Sequence, residues 1–228
     1  MSLLTNLAVY YSMDESSGSR ADSVGGSSLS EYPGTINGAS GKISNAAHFV
    51  ADGYQFYLVG LNIFSNDQAF TVSGWYYFDA DGATHTLADY SSGFNLIRYS
   101  DNYIYASMRA SSNTSIGSAA AVTISTWYHV VMTHDPVGNT VNLILNDGTP
   151  QSTSHTAGTN GGANQLNFGD SGYSMRALVD EFGIWTRVLT SGEITQLYNG
   201  GAGLAYSSFG GGGGGTTARR LMLMGVGA

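Results

Sequence analysis

Thr126-Trp127-Tyr128-His129-Val130-Val131-Met132-Thr133-His134-Asp135, then Pro136-Val137-Gly138-Asn139, then Thr140-Val141-Asn142-Leu143-Ile144-Leu145 and Asn146-Asp147-Gly148, reads as one β-hairpin closed by a second tight turn. Both runs are rich in β-branched and aromatic residues, which suit a pleated surface buried on at least one face. Pro136 presets a turn, while Asn139, Asn146 and Gly148 tolerate the left-handed backbone that hairpin turns need.

The same signature recurs on either side. Leu7-Ala8-Val9-Tyr10-Tyr11 and Phe70-Thr71-Val72-Ser73-Gly74-Trp75-Tyr76-Tyr77-Phe78 read as strands. So do Ala47 to Val50, Phe56 to Val59, Phe94 to Tyr99, Tyr103 to Arg109, Leu166 to Phe168 and Leu178 to Trp185. Many short strands without alternating helices exclude a βαβ architecture and indicate a sandwich or barrel. One helix is expected: Thr190-Ser191-Gly192-Glu193 forms a capping box, Ile194, Leu197 and Tyr198 follow at helical spacing, and Gly200-Gly201 can close it. It is expected to cover an edge of the sandwich.

With 228 residues, 42% hydrophobic and 11% charged, the chain is long enough to bury one core without staples. Its 32 glycines and 3 prolines fit tight turns better than packed helices. The formal charge is −8, and because Arg219 and Arg220 sit in the C-terminal tail, the remainder carries −10. Nucleic acid and anionic membranes are therefore disfavoured as partners. There are no cysteines, so neither disulfides nor thiolate metal sites are available. Met1 to Asn6 carries no basic or long apolar run, hence no Sec-type leader is expected, and no stretch is long enough for a membrane span.

Three segments together resemble the laminin G-like branch of the concanavalin A-like lectin family. They are the first strand Leu7 to Glu15, the Trp127 strand with its Asn146-Asp147-Gly148 hairpin, and Val179-Asp180-Glu181-Phe182-Gly183-Ile184-Trp185 running into the Thr190 helix. The resemblance covers about residues 5 to 204. It implies an all-β, two-sheet antiparallel jelly-roll sandwich with one short late helix, often with a structural calcium and a glycan or protein ligand. The expected domains are residues 1–206 for the jelly roll and 207–228 for a glycine-rich linker and anchoring tail.

Glycoside hydrolysis needs two carboxylates facing each other across a sugar. Glu occurs only at positions 15, 31, 181 and 193, and Asp180 and Glu181 are neighbours expected on opposite strand faces, so the chain reads as a non-enzyme. No G-x-S-x-G elbow is present either. His48, His85, His129, His134 and His155 show no metal-ligand spacing and read as structural. Trp75, Trp127 and Trp185 read as core. A structural Ca²⁺ is assigned to Asp52 and Asp180, whose positions resemble ion-holding ones in relatives, against the simpler reading that both cap turns and backbone.

Sugar binding calls for flat aromatics beside planar amide or carboxylate groups. The hairpin from Asn95 to Arg109 offers both. Tyr103, Tyr105 and Arg109 share one strand face, Asn95 and Tyr99 share a face of the partner, and Asp101 and Asn102 sit in the turn. Ordinary cross-strand packing is the competing reading.

The tail runs through six glycines, Gly210 to Gly215, into Arg219, Arg220, Leu221, Met222, Leu223 and Met224, an apolar and basic segment suited to anchoring in a larger assembly or a symmetric copy of the chain. A recognition fold, no expected leader and an anchoring tail together suggest a virion surface protein of the phage decoration, fibre or tail type, made in the host cytoplasm. The alternatives are a purely structural cement subunit without a glycan ligand, and a bacterial surface or extracellular lectin.

Overall fold

The computed structural model describes residues 1–64, 67–80, 82–91, 93–109, 114–156, 164–169 and 175–210. Fifteen strands and one helix follow in chain order. The first eight strands are β1 (Leu7–Tyr11), β2 (Ser30–Tyr32), β3 (Asn37–Ser40), β4 (Asn45–Phe49), β5 (Gln55–Val59), β6 (Phe70–Phe78), β7 (His85–Tyr90) and β8 (Phe94–Arg98). They continue as β9 (Ile104–Met108), β10 (Thr114–Gly117), β11 (Trp127–Asp135), β12 (Thr140–Leu145), β13 (Gln151–Ser154), β14 (Gln165–Phe168), β15 (Ala177–Trp185) and then α1 (Ser191–Tyr198).

Two antiparallel sheets form the expected jelly-roll sandwich. One runs β13-β12-β11-β6-β15-β4-β3, with β1 on the same edge of β15 that β4 uses further along. The other runs β10-β9-β8-β7-β14-β5-β2. Alternate residues from both sheets meet in the middle, where Val72, Tyr76, Met132 and Phe182 face Phe56, Leu96, Ala106 and Phe168. The edge strands β2, β3, β10 and β13 are Ser-, Gly- and Gln-containing segments without apolar alternation.

The helix has the expected capping box: Thr190 accepts from the Glu193 backbone N–H, and the Glu193 carboxylate accepts from the Thr190 N–H. Asn199 closes it in the left-handed conformation at φ 49°, followed by Gly200 and Gly201, also at positive φ. The expectation that α1 covers an edge is corrected. Tyr198 stacks on Trp75, which lies on β6 inside the eight-stranded sheet, and Ile194 joins Ile144 in one apolar cluster, so α1 lies on the sheet's outer face.

That second apolar cluster explains the tryptophans. Trp185 is fully buried but points away from the main core, packed with Leu3, Tyr10, Leu189, Ile194 and Phe209, and its Nε1–H donates to the Leu3 carbonyl at 2.6 Å. Trp75 is buried under Tyr198, with the Lys42 ammonium 4.6 Å from its ring centroid. Trp127 is only half-buried, against Tyr77, which corrects its placement in the core. The domain's packing runs on to Phe209, past the expected boundary after Tyr206. No helix among the described residues is long and apolar enough to cross a membrane.

Candidate functional site

Strand register decides what the outer face of the seven-stranded sheet displays. Ser30 lies opposite Tyr57, Tyr57 opposite Asn167, Asn167 opposite Asp89, Asp89 opposite Asn95, Asn95 opposite Ser107, and Ser107 opposite Ser115. Their strand neighbours Phe56, Leu166, Leu96 and Ala106 point into the core, so this row points outward. One cross-strand line of polar side chains therefore spans all seven strands.

At its centre, Asp89 Oδ1 accepts from Asn95 Nδ2 at 2.9 Å and pairs with Arg109 Nη2 at 2.7 Å. Beside this cluster is an open depression of ≈ 410 Å³ whose walls include Asn95, Ile97, Tyr99, Ser107 and Arg109. Tyr99, 43% exposed, meets the Tyr105 ring edge to face at 5.1 Å. Asp101 fixes this rim, accepting from the Tyr103 backbone N–H at 3.0 Å and from the Tyr105 hydroxyl at 3.1 Å. Of the seven residues expected to bind sugar, five, Asn95, Tyr99, Asp101, Tyr105 and Arg109, are thus brought together around one rim, and Tyr103 joins them through its backbone N–H. Asn102 is the exception: at φ 65° its side-chain oxygen accepts from the fully buried Arg98, so it anchors the turn from below.

On the far side of Asp89 a smaller depression of ≈ 160 Å³ is walled by Gln55, Thr86, Asp89, Gln165 and Asn167. Here Gln165 Nε2 donates to Asn167 Oδ1 at 2.6 Å. These residues escaped the sequence reading because they come from three separated strands, and only the register unites them.

The family model described as the concanavalin A-like lectin/glucanases superfamily, of laminin G type, matches residues 51–195. The chain belongs to this superfamily. No curated protein matches it in sequence. Among solved structures, the superfamily fold is similar to the binding domain of Paraclostridial Mosquitocidal Protein 1, at 16% identity and a TM-score of 0.71 over 85% of this chain and 52% of the other. It is also similar to the receptor binding domain of botulinum neurotoxin mosaic serotype C/D, at 16% identity and 0.68 over 86% and 51%. A third likeness is the binding domain of botulinum neurotoxin DC in complex with rat synaptotagmin II, at 14% identity and 0.65 over 85% and 51%. The chain spans about half the length of these structures.

The two residues assigned to a structural calcium, Asp52 and Asp180, are not brought together. Asp180 is fully buried; Oδ2 accepts from the Ile43 N–H at 2.8 Å, while Oδ1 has no hydrogen-bond partner. Burial pushes its carboxyl up to about 8, with Glu181 and Asp14 adding like charge. Gly41 is pressed against it, where a Cβ would stand 2.7 Å from Oδ2. A cation offered to Oδ1 would relieve that orphaned oxygen. Asp52 does not share the place: it is exposed and pairs with Arg176 Nε at 3.2 Å, at the end of the β4–β15 ladder opposite Asp180. Among the described residues no group of three or more His, Cys, Asp or Glu is arranged to hold a metal ion, so any ion at Asp180 would depend on carbonyls and water.

Asp180 and Glu181 do not alternate as expected. A β-bulge between Asp180 and Gly183 puts Glu181 at φ 48°, keeping Val179 and Phe182 in the core and leaving both carboxylates on the outer side, where Glu181 accepts from the Tyr10 hydroxyl. Burial, with Asp14 nearby, raises Glu181 to about 7. Four of the histidines, His85, His129, His134 and His155, are buried. His129 is held neutral by burial, down to about 3, stacked on Trp75 and bonded to Ser73 Oγ at 2.8 Å. His85 is lowered to about 4 by burial and by Arg98. The anchor residues Arg219, Arg220, Leu221, Met222, Leu223 and Met224 lie outside the described residues.

Proposed function

We propose that this protein is a non-enzymatic, lectin-like module that binds carbohydrate on the outer face of its seven-stranded sheet, displayed at a virion surface. The observation that carries the reading is the Tyr99–Tyr105 rim beside the Asn95–Asp89–Arg109 cluster over an open depression. Aromatic faces pack against the C–H faces of a pyranose, while amide and carboxylate groups fork onto adjacent hydroxyls. Similarity to toxin binding domains supports a recognition role.

The non-enzymatic part rests on how the carboxylates are used. Asp89 is committed to Arg109 and Asn95, and Asp101 on the rim is committed to the Tyr105 hydroxyl and the Tyr103 backbone, whereas Asp180 and Glu181 are buried on the other sheet. Calcium at Asp180 is a structural ion in this reading, tying the Gly41–Ser44 loop to β15. The virion setting is supported by the glycine tether from Gly210 to Gly215, which leads to the apolar and basic anchor at Arg219 to Met224 and so to other virion proteins or copies of this chain.

A glycan array followed by titration of the best ligand tests the binding role. Tyr99→Ala with Tyr105→Ala abolishes binding while leaving the melting temperature within a few degrees. Retained binding in that double variant overturns the assignment of the rim, and hydrolysis of a bound glycan overturns the non-enzyme reading. Electron microscopy of the assembly that contains the chain tests the virion setting.

A further inference from the structure

We infer that the segment from Arg219 to Val226 docks back onto its own molecule, in a groove between α1 and the β12–β13 hairpin on the outer face of the eight-stranded sheet. The free chain then keeps its apolar segment covered, and a partner that engages the tail must first draw it out. This goes beyond the anchoring role proposed for the tail and does not depend on the carbohydrate reading.

Sheet register and one helix face build the groove. Met132, Val141 and Leu143 point into the main core, so their neighbours Thr133, Asn142 and Ile144 point outward. Asn142 Nδ2 donates to Thr133 Oγ1 at 3.0 Å and Asn142 Oδ1 accepts from Ser152, which ties β11, β12 and β13 into one floor. Beside it α1 presents Ser191, Ile194 and Thr195, spaced i, i+3 and i+4. Val188, Leu189 and Pro150 add apolar walls. The space is ≈ 460 Å³, about three times the ~150 Å³ apolar cavity that accepts a benzene ring.

The chemistry of the tail matches these walls. Leu221, Met222, Leu223 and Met224 are long apolar side chains, and the two unbranched thioethers adapt to an irregular surface. Arg219 and Arg220 precede them. The groove is lined by no Lys or Arg and by one carboxylate, Asp147, which is half-buried and accepts from the Thr195 hydroxyl at 2.9 Å. The chain is at −8 with these two arginines and at −10 without them, so its field draws the segment inward.

Reach decides whose tail occupies the groove. Phe209 ends the packed chain stacked on Trp185, with ring centroids 6.3 Å apart, and it shares one apolar cluster with Ile144, Leu189 and Ile194. Trp185 lies opposite Thr71, Thr71 opposite Thr133, Thr133 opposite Asn142, and Asn142 opposite Ser152. The groove therefore runs from two to four strand intervals away from Trp185, about 10 to 19 Å at ~4.8 Å each. Nine residues lead from Gly210 to Arg219, and a glycine-rich chain of that length has a root-mean-square span of about 17 Å. A tether matched to its span holds its end at an effective concentration on the order of millimolar, well above that of a second copy in dilute solution.

The full chain contains no cysteine, so a single thiol pair can test the contact. Thr195→Cys with Met222→Cys joins the exposed helix face of the groove to the tail, and Ser115→Cys with Met222→Cys is the control on the opposite sheet. Under mild oxidation, followed by mass spectrometry and non-reducing electrophoresis, the Thr195 pair is expected to close within the monomer at least tenfold faster than the control pair. Adding Leu221→Asp and Leu223→Asp, which lie beyond the packed sandwich, should remove that advantage. Equal rates for the two pairs overturn the inference. So does an advantage that survives both aspartates, because the tether alone would then explain it. A disulfide-linked dimer as the main product overturns docking within one molecule and assigns the groove to a second copy.

Discussion

Asn95 donates its side-chain N–H to Asp89 Oδ1 over 2.9 Å, directly across the β7–β8 pairing, and so fixes the carboxylate at the middle of an otherwise neutral row. Removing it should do more to binding than to folding. The bond and the Arg109 pair are partly exposed, where such contacts stabilise by about 0.5–1.5 kcal/mol. Asp89→Ala is therefore expected to lower stability by about 1 kcal/mol in urea melts. It frees Arg109 and leaves Asn95 unoriented, so titration should show glycan affinity falling tenfold or more.

Acid should unfold the protein through identifiable groups. Two hydrogen bonds from Arg187, at 2.7 and 2.8 Å, and the capping box hold Glu193 down to about 2. A depressed carboxylate contributes stability that is complete above its unfolded value near ~4.3 and disappears as pH falls towards 2. His129 and His85, lowered to about 3 and 4, protonate first in the unfolded chain, so their own contribution to stability begins to fall below ~6.5. Urea midpoints should change little from pH 7 to about pH 4.5, where Asp180 and Glu181, raised to about 8 and 7, take up protons in the folded state and offset the two histidines, and should decline from there to pH 2.5. In Glu193→Gln the part of the decline below about pH 4.5 should shrink, from a starting stability lower by about 1–3 kcal/mol.

Calcium should act through Asp180 alone. A ligand that binds only the folded state adds about 2.7 kcal/mol at a hundred times its dissociation constant. Metal-loaded protein should melt higher than chelated protein, and Asp180→Asn, which keeps the shape and removes the charge, should melt at one temperature in both conditions. Asp52→Asn should keep the calcium response, since Asp52 faces Arg176 instead.

The end of the packed chain can be located by truncation. Phe209 is buried against Tyr10 and Trp185 and its carbonyl accepts from Ser2 Oγ at 3.2 Å. Stopping the chain after Tyr206 removes a buried aromatic and should cost about 3–5 kcal/mol relative to a chain stopped after Gly210, read as a lower urea midpoint.

How much of this was legible in the sequence depended on whether the signal was local. The strands β6, β11 and β12 announce themselves because apolar residues alternate along each one, and Thr190 with Glu193 marks the helix start within four residues. Gln151–Ser154 and Ser30–Tyr32 carry no such pattern: they are strands because a neighbour offers hydrogen bonds along an edge. The bulge at Glu181 was also hidden, since its apolar flanks alternate only if one residue is skipped. At the site, Asn95, Tyr99, Tyr105 and Arg109 share a face by simple period two. Asp89, Asn167 and Tyr57 join them only through cross-strand register, which is set by the whole sheet.

The N-terminal segment and the Tyr206–Phe209 turn both lie against the eight-stranded sheet, and Gly210 leaves beside Leu4 on that same side. The polar row is on the opposite sheet. The molecule thus has a back, which carries the N-terminal segment and Gly210, and a front, which carries the polar row. Many copies held by their backs on one support would present their fronts outward together, and weak contacts to a repeating polymer would then add as avidity without any one of them having to be tight.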